Sequence, residues 1–62
     1  MKAYKITSSE KESLGGQKME SGGYFNPVQD INGDWFIFEV EHQACDLGVE
    51  ADFNPPPTEE LI

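Results

Sequence analysis

His42 and Cys45 are the residues whose types and spacing point most directly to chemistry. They follow an H-x-x-C pattern and are flanked by Glu41 and Asp46. A structural zinc site takes four ligands, mostly Cys and His, and the chain has one of each. A catalytic cysteine needs a base, a group that orients the base and an oxyanion site, and nothing around this pair supplies the last two. We therefore predict no metal site, no cofactor and no catalytic residue, with Cys45 a small buried apolar residue and His42 at a strand end on the surface.

Carboxylate pairs are the second chemical feature. The chain has 12 Asp and Glu residues, so pairs such as Glu39 with Glu41 and Glu59 with Glu60 arise by chance. Acid–base hydrolysis of a glycosidic bond needs a cleft that separates and desolvates two such groups. A chain of 62 residues buries only about 60% of its unfolded surface and has little material for a cleft. We therefore expect a protein that is not an enzyme.

Residues 30–34, Asp-Ile-Asn-Gly-Asp, look like a calcium loop only superficially. They lack the ligand spacing and the closing glutamate of an EF-hand. Asn32-Gly33 is instead typical of a type I′ turn, because both residue types tolerate positive φ. We therefore predict a β-hairpin over residues 24–41, YFNPVQDINGDWFIFEVE.

A two-residue turn at Asn32-Gly33 would fix which side chains share a face of this hairpin. The predicted core face carries the pairs Ile31–Asp34, Gln29–Phe36, Pro27–Phe38 and Phe25–Val40. The opposite face carries Asp30, Val28, Asn26 and Tyr24 opposite Trp35, Ile37, Glu39 and Glu41. Because Pro27 cannot donate a ladder hydrogen bond, its strand is predicted to be an edge strand or to be bulged there.

The remaining segments predict a small sheet around the hairpin. Tyr4 and Ile6 alternate with polar neighbours in a first strand, and Val49, Ala51 and Phe53 do so in a fourth. A capping-box spacing followed by two glycines predicts a short helix at 9–14. The fold class is therefore mainly β: a small single-domain antiparallel sheet of three to four strands, centred on the hairpin at 24–41.

Two segments are predicted to lie outside the sheet. Residues 15–23, bracketed by glycine pairs, are expected to be a flexible loop unless a partner orders them. Residues 54–57, Asn-Pro-Pro-Pro, must leave the sheet because successive prolines supply no donors. We therefore divide the chain into a β domain at 1–53 and a proline-led tail at 54–62, in which 58–62 are either loose or a docking segment.

Charge is unevenly distributed along the chain. The net charge is −8, there is no arginine, and all four lysines lie at or before Lys18. Ten acidic residues and no basic one follow Met19. Direct binding of nucleic acid is disfavoured, because phosphate contacts need Lys and Arg. A protein partner with a basic surface is favoured instead.

The candidate partner-binding residues are acidic and aromatic. Along a strand, side chains two apart lie about 6.8 Å from each other, so two rows of charge are predicted. Phosphates of DNA repeat every ~3.4 Å of helix axis along each DNA strand, a spacing within a factor of two of that between the carboxylates of a row. Two aromatic residues lie on the non-core face, where they are exposed unless neighbouring strands or the amino-terminal segment fold over them. The full set is Glu39 and Glu41, Glu50 and Asp52, Tyr24 and Trp35.

These features favour a non-enzymatic acidic protein-binding module. Its specific form is an inhibitor or regulator that mimics nucleic-acid charge to bind a basic partner, of the kind phage and mobile-element proteins provide. The competing interpretation is that the charge rows are solvated faces that keep a small protein soluble. A second alternative is a structural or accessory subunit of a larger assembly such as a phage virion, where exposed aromatics and strand edges promote self-association.

Location is indicated by what the chain lacks. One cysteine cannot form an internal disulfide, and the amino terminus does not look like a signal peptide. No stretch approaches the ~20 apolar residues of a membrane span. We therefore expect a soluble, non-secreted, cytoplasmic protein without membrane contact, or a virion component in the second alternative.

Overall fold

The computed structural model describes residues 2–57 of the chain. Within them lie six elements, in the order β1 (Ala3–Ile6), α1 (Ser8–Leu14), β2 (Val28–Gln29), β3 (Trp35–Phe38), α2 (Glu39–Cys45) and β4 (Val49–Glu50). The strands form one antiparallel sheet in the order β2-β3-β1-β4. The predicted fold class is confirmed, and β2 is an edge strand, as the proline that precedes it indicates. The interpretation of residues 58–62 as a loose or docking tail lies outside the described residues.

The amino-terminal strand and helix form as predicted, with the cap two residues earlier. Thr7 Oγ1 accepts the Glu10 N–H (3.1 Å), and Glu10 Oε1 accepts the Thr7 N–H (2.8 Å), which is a reciprocal capping box. The helix ends after Leu14, which is buried, and the Gly15 N–H donates to the Glu12 carbonyl (3.2 Å). Helix α1 therefore begins directly where β1 ends.

The β2–β3 hairpin has a longer loop than the sequence predicts. The Asp30 N–H donates to the Asp34 carbonyl (3.0 Å), and the Gly33 N–H donates to the Asp30 carbonyl (3.0 Å). Gly33 has a φ of 84°, whereas Asn32 has no positive φ. The loop is therefore a type I turn followed by a left-handed glycine, and the predicted type I′ turn is wrong. The buried Asp30 carboxylate fixes it by accepting the N–H groups of Asn32 (3.0 Å) and Asp34 (3.1 Å).

This loop shifts the strand register by one residue. Val28 lies opposite Phe36 and Gln29 opposite Trp35, so the four predicted core-face pairs are wrong. A one-residue shift in register changes which side chains of the two strands lie on the same face of the sheet. Both faces of β3 are used, because Phe36 and Ile37 are both buried. Two residues that were expected in the core, Ile31 and Val40, are exposed instead.

The hairpin also ends earlier than predicted. Strand β3 stops at Phe38, and the residues expected to continue it to position 41 begin α2. Glu41 causes this change, because its Oε1 accepts the Phe38 N–H (3.0 Å) from the third helical position, where a capping glutamate acts. Helix α2 ends at Cys45. The next residue, Asp46, has a left-handed backbone (φ 59°) and caps the helix by donating its N–H to the His42 carbonyl (2.7 Å).

One face of the sheet carries the main apolar core. We call it the helical face, because α1 and α2 both supply side chains to it. Its buried residues are Ile6, Leu14 and Ile37. Partly buried residues that pack against them are Tyr4, Phe25, Trp35, Cys45 and Leu47. No helix within residues 2–57 is long and apolar enough to cross a membrane.

The other face is covered by residues 51–54, which we call the strap. The fourth strand was predicted to include Ala51 and Phe53, but β4 ends at Glu50 and the chain then leaves the sheet. Phe53 instead packs edge-to-face on Phe36 and Phe38, with ring centroids 5.3 and 5.5 Å away. The Asn54 carbonyl then accepts the Ile31 N–H (2.8 Å). The strap therefore ties the β4 side of the sheet to the β2–β3 loop.

Candidate functional site

The predicted row of Glu39 and Glu41 does not exist, because both residues lie in α2. At 3.6 residues per turn, side chains two apart diverge by about 200° around the helix. Glu41 points inward and is only 9% exposed. Its Oε2 accepts the Asn26 N–H (2.7 Å), and its Oε1 accepts the Phe38 N–H. Glu41 therefore joins the segment before β2 to the start of α2, and its carboxylate is used within the fold.

The other three predicted acidic residues converge at one end of the sheet. Ala3 lies opposite Phe38 and accepts the Ala51 N–H at its carbonyl (3.1 Å), so these three residues lie side by side. One residue further on, the same three chain segments present Glu39, Lys2 and Asp52. Glu50 lies in β4, beside this group. We call the set Lys2, Glu39, Glu50 and Asp52 the acidic end.

An open groove of about 730 Å³ lies beside the acidic end. Its apolar lining comes from Ala3, Phe38, Ala51 and Phe53, and its charged lining from Lys2, Glu50 and Asp52. The combination of an apolar floor and an acidic rim suits a group that is itself both apolar and cationic.

The acidic end keeps most of its negative charge. Lys2 Nζ lies 3.9 Å from Glu50 Oε1, and both side chains are 60% exposed. Exposed ion pairs of this kind contribute only about 0–1 kcal/mol. Among residues 2–57, neither Glu39 nor Asp52 takes part in an ion pair. Glu50 and Asp52 are therefore exposed and Glu39 is half-buried, with one partly engaged lysine beside them.

The two predicted aromatic residues occupy different surroundings. Trp35 packs against the core of the helical face, and Lys11 Nζ lies 4.4 Å from its ring centroid. Tyr24 lies outside β2 in an isolated bridge to Lys18 and is 59% exposed. Trp35 is therefore covered by neighbouring elements, whereas Tyr24 is exposed.

A second apolar surface on α2 was not predicted. Val40 is 60% exposed on the outer side of the helix. With Ala44 and Met19 it lines a shallow groove, whose polar lining residues are Glu20, Ser21 and Gln43. Residues 19–23 border it in a tight turn, in which the Met19 N–H donates to the Gly23 carbonyl (2.7 Å). We call this surface the α2 groove.

His42 and Cys45 both belong to α2, so the predicted strand-end position of His42 is wrong. The His42 ring stacks on Tyr4 with centroids 3.7 Å apart and planes at 4°. Its Nδ1 lies 2.7 Å from the Leu47 carbonyl, which can only accept, so Nδ1 carries the proton. Cys45 is partly buried against the core. Within the described part of the chain, no group of three or more His, Cys, Asp or Glu side chains could hold a metal ion.

Comparisons with protein-family models, curated proteins and solved structures found no match. The site is therefore described by its own geometry. Of the six predicted partner-binding residues, three are grouped at the acidic end, Tyr24 is exposed elsewhere, and Trp35 and Glu41 contribute to the core and to its hydrogen bonds.

Sequence reasoning missed Glu41's inward orientation and the α2 groove for the same reason. Val40 is apolar and Glu41 is charged, so the expected burial of these two neighbours is the reverse of what is observed. The sequence signal for this helix was incomplete: Glu41 stands three residues after the cap position, but Phe38 is not one of the capping residue types Ser, Thr, Asp or Asn.

Proposed function

We propose that this protein is a non-enzymatic binding module that uses its acidic end to contact a basic surface on a protein partner. The observation that carries the proposal is that Glu50 and Asp52 line a groove with an apolar floor, beside the chain segment in which Glu39 follows Phe38. Such a rim attracts lysine and arginine side chains over several ångströms, and the floor accepts their aliphatic stems.

The charge of the whole chain supports the same conclusion. A net charge of −8 on 62 residues accelerates encounter with a basic partner, and at low salt the field extends well beyond the surface. A partner of this kind is a nucleic-acid-binding protein, whose basic groove is built for phosphates. Occupation of that groove by the acidic end would exclude the nucleic acid, which gives an inhibitor or regulator.

The non-enzymatic part of the proposal is supported by how the nucleophilic and titratable residues are used. Cys45 packs against the core, and His42 is held by Tyr4 and by the Leu47 carbonyl. Among residues 2–57, the charged lining of the groove beside the acidic end comes from Lys2, Glu50 and Asp52, and neither His42 nor Cys45 belongs to it.

A charge-matched pair of variants tests the proposal. In the acidic-end variant, Glu39→Gln, Glu50→Gln and Asp52→Asn remove three charges. In the control variant, Glu12→Gln, Glu20→Gln and Asp46→Asn remove three charges at other exposed positions. Both change the net charge from −8 to −5. Binding to an octalysine peptide is measured by isothermal titration at about 0.1 M and about 1 M salt, where the Debye lengths are about 10 Å and about 3 Å.

Three charges at about 0.5 kcal/mol each predict that the acidic-end variant binds about tenfold more weakly at the lower salt concentration. The control variant should retain most of the affinity. Addition of a fluorescent DNA duplex should displace the wild-type protein from the peptide, as charge mimicry requires. Equal weakening in both variants would mean that net charge alone governs binding, and the proposal would fail.

The α2 groove favours a second candidate function, that of an accessory subunit in a larger assembly. Val40 and Tyr24 are large apolar side chains left more than half exposed. Surfaces of this kind on small proteins commonly mark contacts with other proteins. A Val40→Glu change that abolishes self-association, measured by light scattering, would support this function. A wild-type protein that stays monodisperse at high concentration would count against it.

A further inference from the structure

Strand β4 has an open backbone edge. Among residues 2–57 it is the last strand of the sheet and pairs only with β1. The Ala51 N–H donates to the Ala3 carbonyl, and Lys5 lies opposite Val49. Because hydrogen-bonded and non-hydrogen-bonded pairs alternate in an antiparallel ladder, the intervening Tyr4–Glu50 pair is of the second kind. The N–H and C=O of Glu50 therefore point away from the sheet.

The opposite edge, at β2, is blocked. There Asp30 and Asp34 form a hydrogen-bonded pair, so the neighbouring Gln29–Trp35 pair is not hydrogen-bonded and the N–H and C=O of Gln29 point away from the sheet. By the same alternation, the backbone groups of positions 27 and 31 also point outward. Pro27 has no N–H to offer. The Ile31 N–H is already bonded to the strap at Asn54. The outward positions on both sides of Gln29 therefore have no free N–H. At β4 the next outward position by alternation is Asp52, whose N–H has no backbone acceptor among residues 2–57, so β4 is the edge better suited to pairing.

The side chains of β4 indicate what it would pair with. Val49 is 74% exposed, which is unusual for a β-branched apolar residue in a strand. Val49 lies on the strap face, opposite Lys5, and Glu50 lies on the helical face, opposite Tyr4. An added strand would therefore meet an apolar side chain on one face of the sheet and a carboxylate on the other.

A second copy of the chain is a poor occupant of this edge. Pairing of β4 with β4 would bring Glu50 and Asp52 close to the same residues of the other copy, and like charges across a strand pair are destabilising. It would also join two chains of net charge −8. A strand with lysine or arginine on one face and apolar residues on the other is complementary in both respects.

We propose that β4 binds an extended basic segment of a partner protein, which is added to the sheet as a fifth strand. The inference rests on the proposed function and specifies its partner, a peptide that alternates cationic and apolar residues. Backbone hydrogen bonds to the N–H and C=O of Glu50 would supply affinity, and the side-chain pattern would supply specificity.

The test compares two peptides of equal charge. One is the acetylated, amidated peptide Lys-Val-Lys-Val-Lys-Val. The other has the same sequence with every second backbone nitrogen methylated at the positions that face β4, which removes donors without changing charge. Binding of each to the ¹⁵N-labelled protein is followed by NMR, together with amide hydrogen exchange at Glu50. The Gln29 amide, on the blocked edge, is the internal reference.

The unmodified peptide is expected to slow Glu50 exchange by at least about tenfold while leaving Gln29 unchanged. The methylated peptide is expected to bind at least about tenfold more weakly. Equal binding of the two peptides would overturn strand addition, and so would protection at Gln29 in place of Glu50. Protection of Glu50 without peptide that grows with protein concentration would assign the edge to a second copy and would also overturn it.

The same titration separates the two proposals. If the methylated peptide binds as well as its parent, and the acidic-end variant weakens both, the acidic end binds by charge alone. The proposed function then stands and strand addition fails. If the acidic-end variant and its charge-matched control bind the unmodified peptide equally, the proposed function fails first.

Discussion

The carboxylates in two regions of this molecule have opposite roles. Asp30 and Glu41 are buried, and each accepts two backbone N–H groups that the fold leaves without other partners. At the acidic end, Glu50 and Asp52 are exposed, and within the described part of the chain an ion pair there joins Glu50 to Lys2. The difference shows that an acidic residue is drawn inward where a turn or helix start supplies orphan donors, and stays outside where the strand ladder satisfies the backbone.

The largest expected effect is at Glu41. Its replacement by alanine leaves the Asn26 and Phe38 N–H groups without their acceptor and should lower the free energy of unfolding by about 3 kcal/mol. The measurement is urea unfolding followed by fluorescence of Trp35, the single tryptophan. Glu41→Gln keeps one acceptor oxygen and should lose less, which provides a folded variant if alanine is not tolerated. A smaller loss in Glu41→Ala than in Glu39→Ala would contradict the assignment.

The next largest effect is expected at Asp30. Asp30→Ala should lower the free energy of unfolding by about 2 kcal/mol, because the N–H groups of Asn32 and Asp34 lose their acceptor. Asp34→Ala is the matched control. It removes only the pair with Lys5 (3.4 Å), whose side chains are about half exposed, and should cost less than about 1 kcal/mol. Equal losses in both variants would remove the distinction between buried and exposed carboxylates in this loop.

Gly33 sharpens the comparison, because its left-handed φ of 84° allows the loop that brings the Asp30 carboxylate to its donors. Gly33→Ala should lower the unfolding free energy by roughly 1 kcal/mol, the cost of a side chain in this conformation. No atom lies within 4 Å of the added methyl group, so the loss would reflect backbone strain alone. A stability gain would mean that the loop adopts another conformation in solution.

The acidic end should show the smallest change in stability. The triple replacement Glu39→Gln, Glu50→Gln and Asp52→Asn should alter the unfolding free energy by no more than about 0.5 kcal/mol, since exposed substitutions rarely do more. Partial relief of charge repulsion would act in the stabilising direction. A loss comparable to that of Asp30→Ala would show that these carboxylates have a structural role after all.

The sequence predicts the parts of this fold that depend on local backbone chemistry. The first strand, the helix before the first glycine pair and the edge position of the strand after Pro27 all follow from alternation, capping spacing and a missing donor. The prolines lie outside the sheet as their missing donors predict, although the fourth strand ends at Glu50 and not at Phe53. These features need no knowledge of which distant groups meet.

Features that depend on distant partners were not predictable. Helix α2 begins where a strand was expected, and the Glu41 carboxylate that caps its start at Phe38 also accepts the Asn26 N–H, 15 residues earlier in the chain. The hairpin register depends on the Asp30 side chain, whose hydrogen bonds to the Asn32 and Asp34 N–H groups stabilise the longer loop over a two-residue turn at Asn32-Gly33. At the acidic end, three of the four predicted acidic residues are grouped, but by the meeting of three chain segments and not by the predicted rows.

The most direct test of the account is a crossed comparison of Glu41→Gln and Glu50→Gln, which remove one charge each from the same protein. We expect Glu41→Gln to lower stability by more than about 1 kcal/mol and to leave octalysine affinity within about twofold. We expect Glu50→Gln to leave stability within about 0.5 kcal/mol and to weaken binding more than Glu41→Gln does. If both variants lose stability and affinity in the same proportion, the separation into structural and binding carboxylates is contradicted.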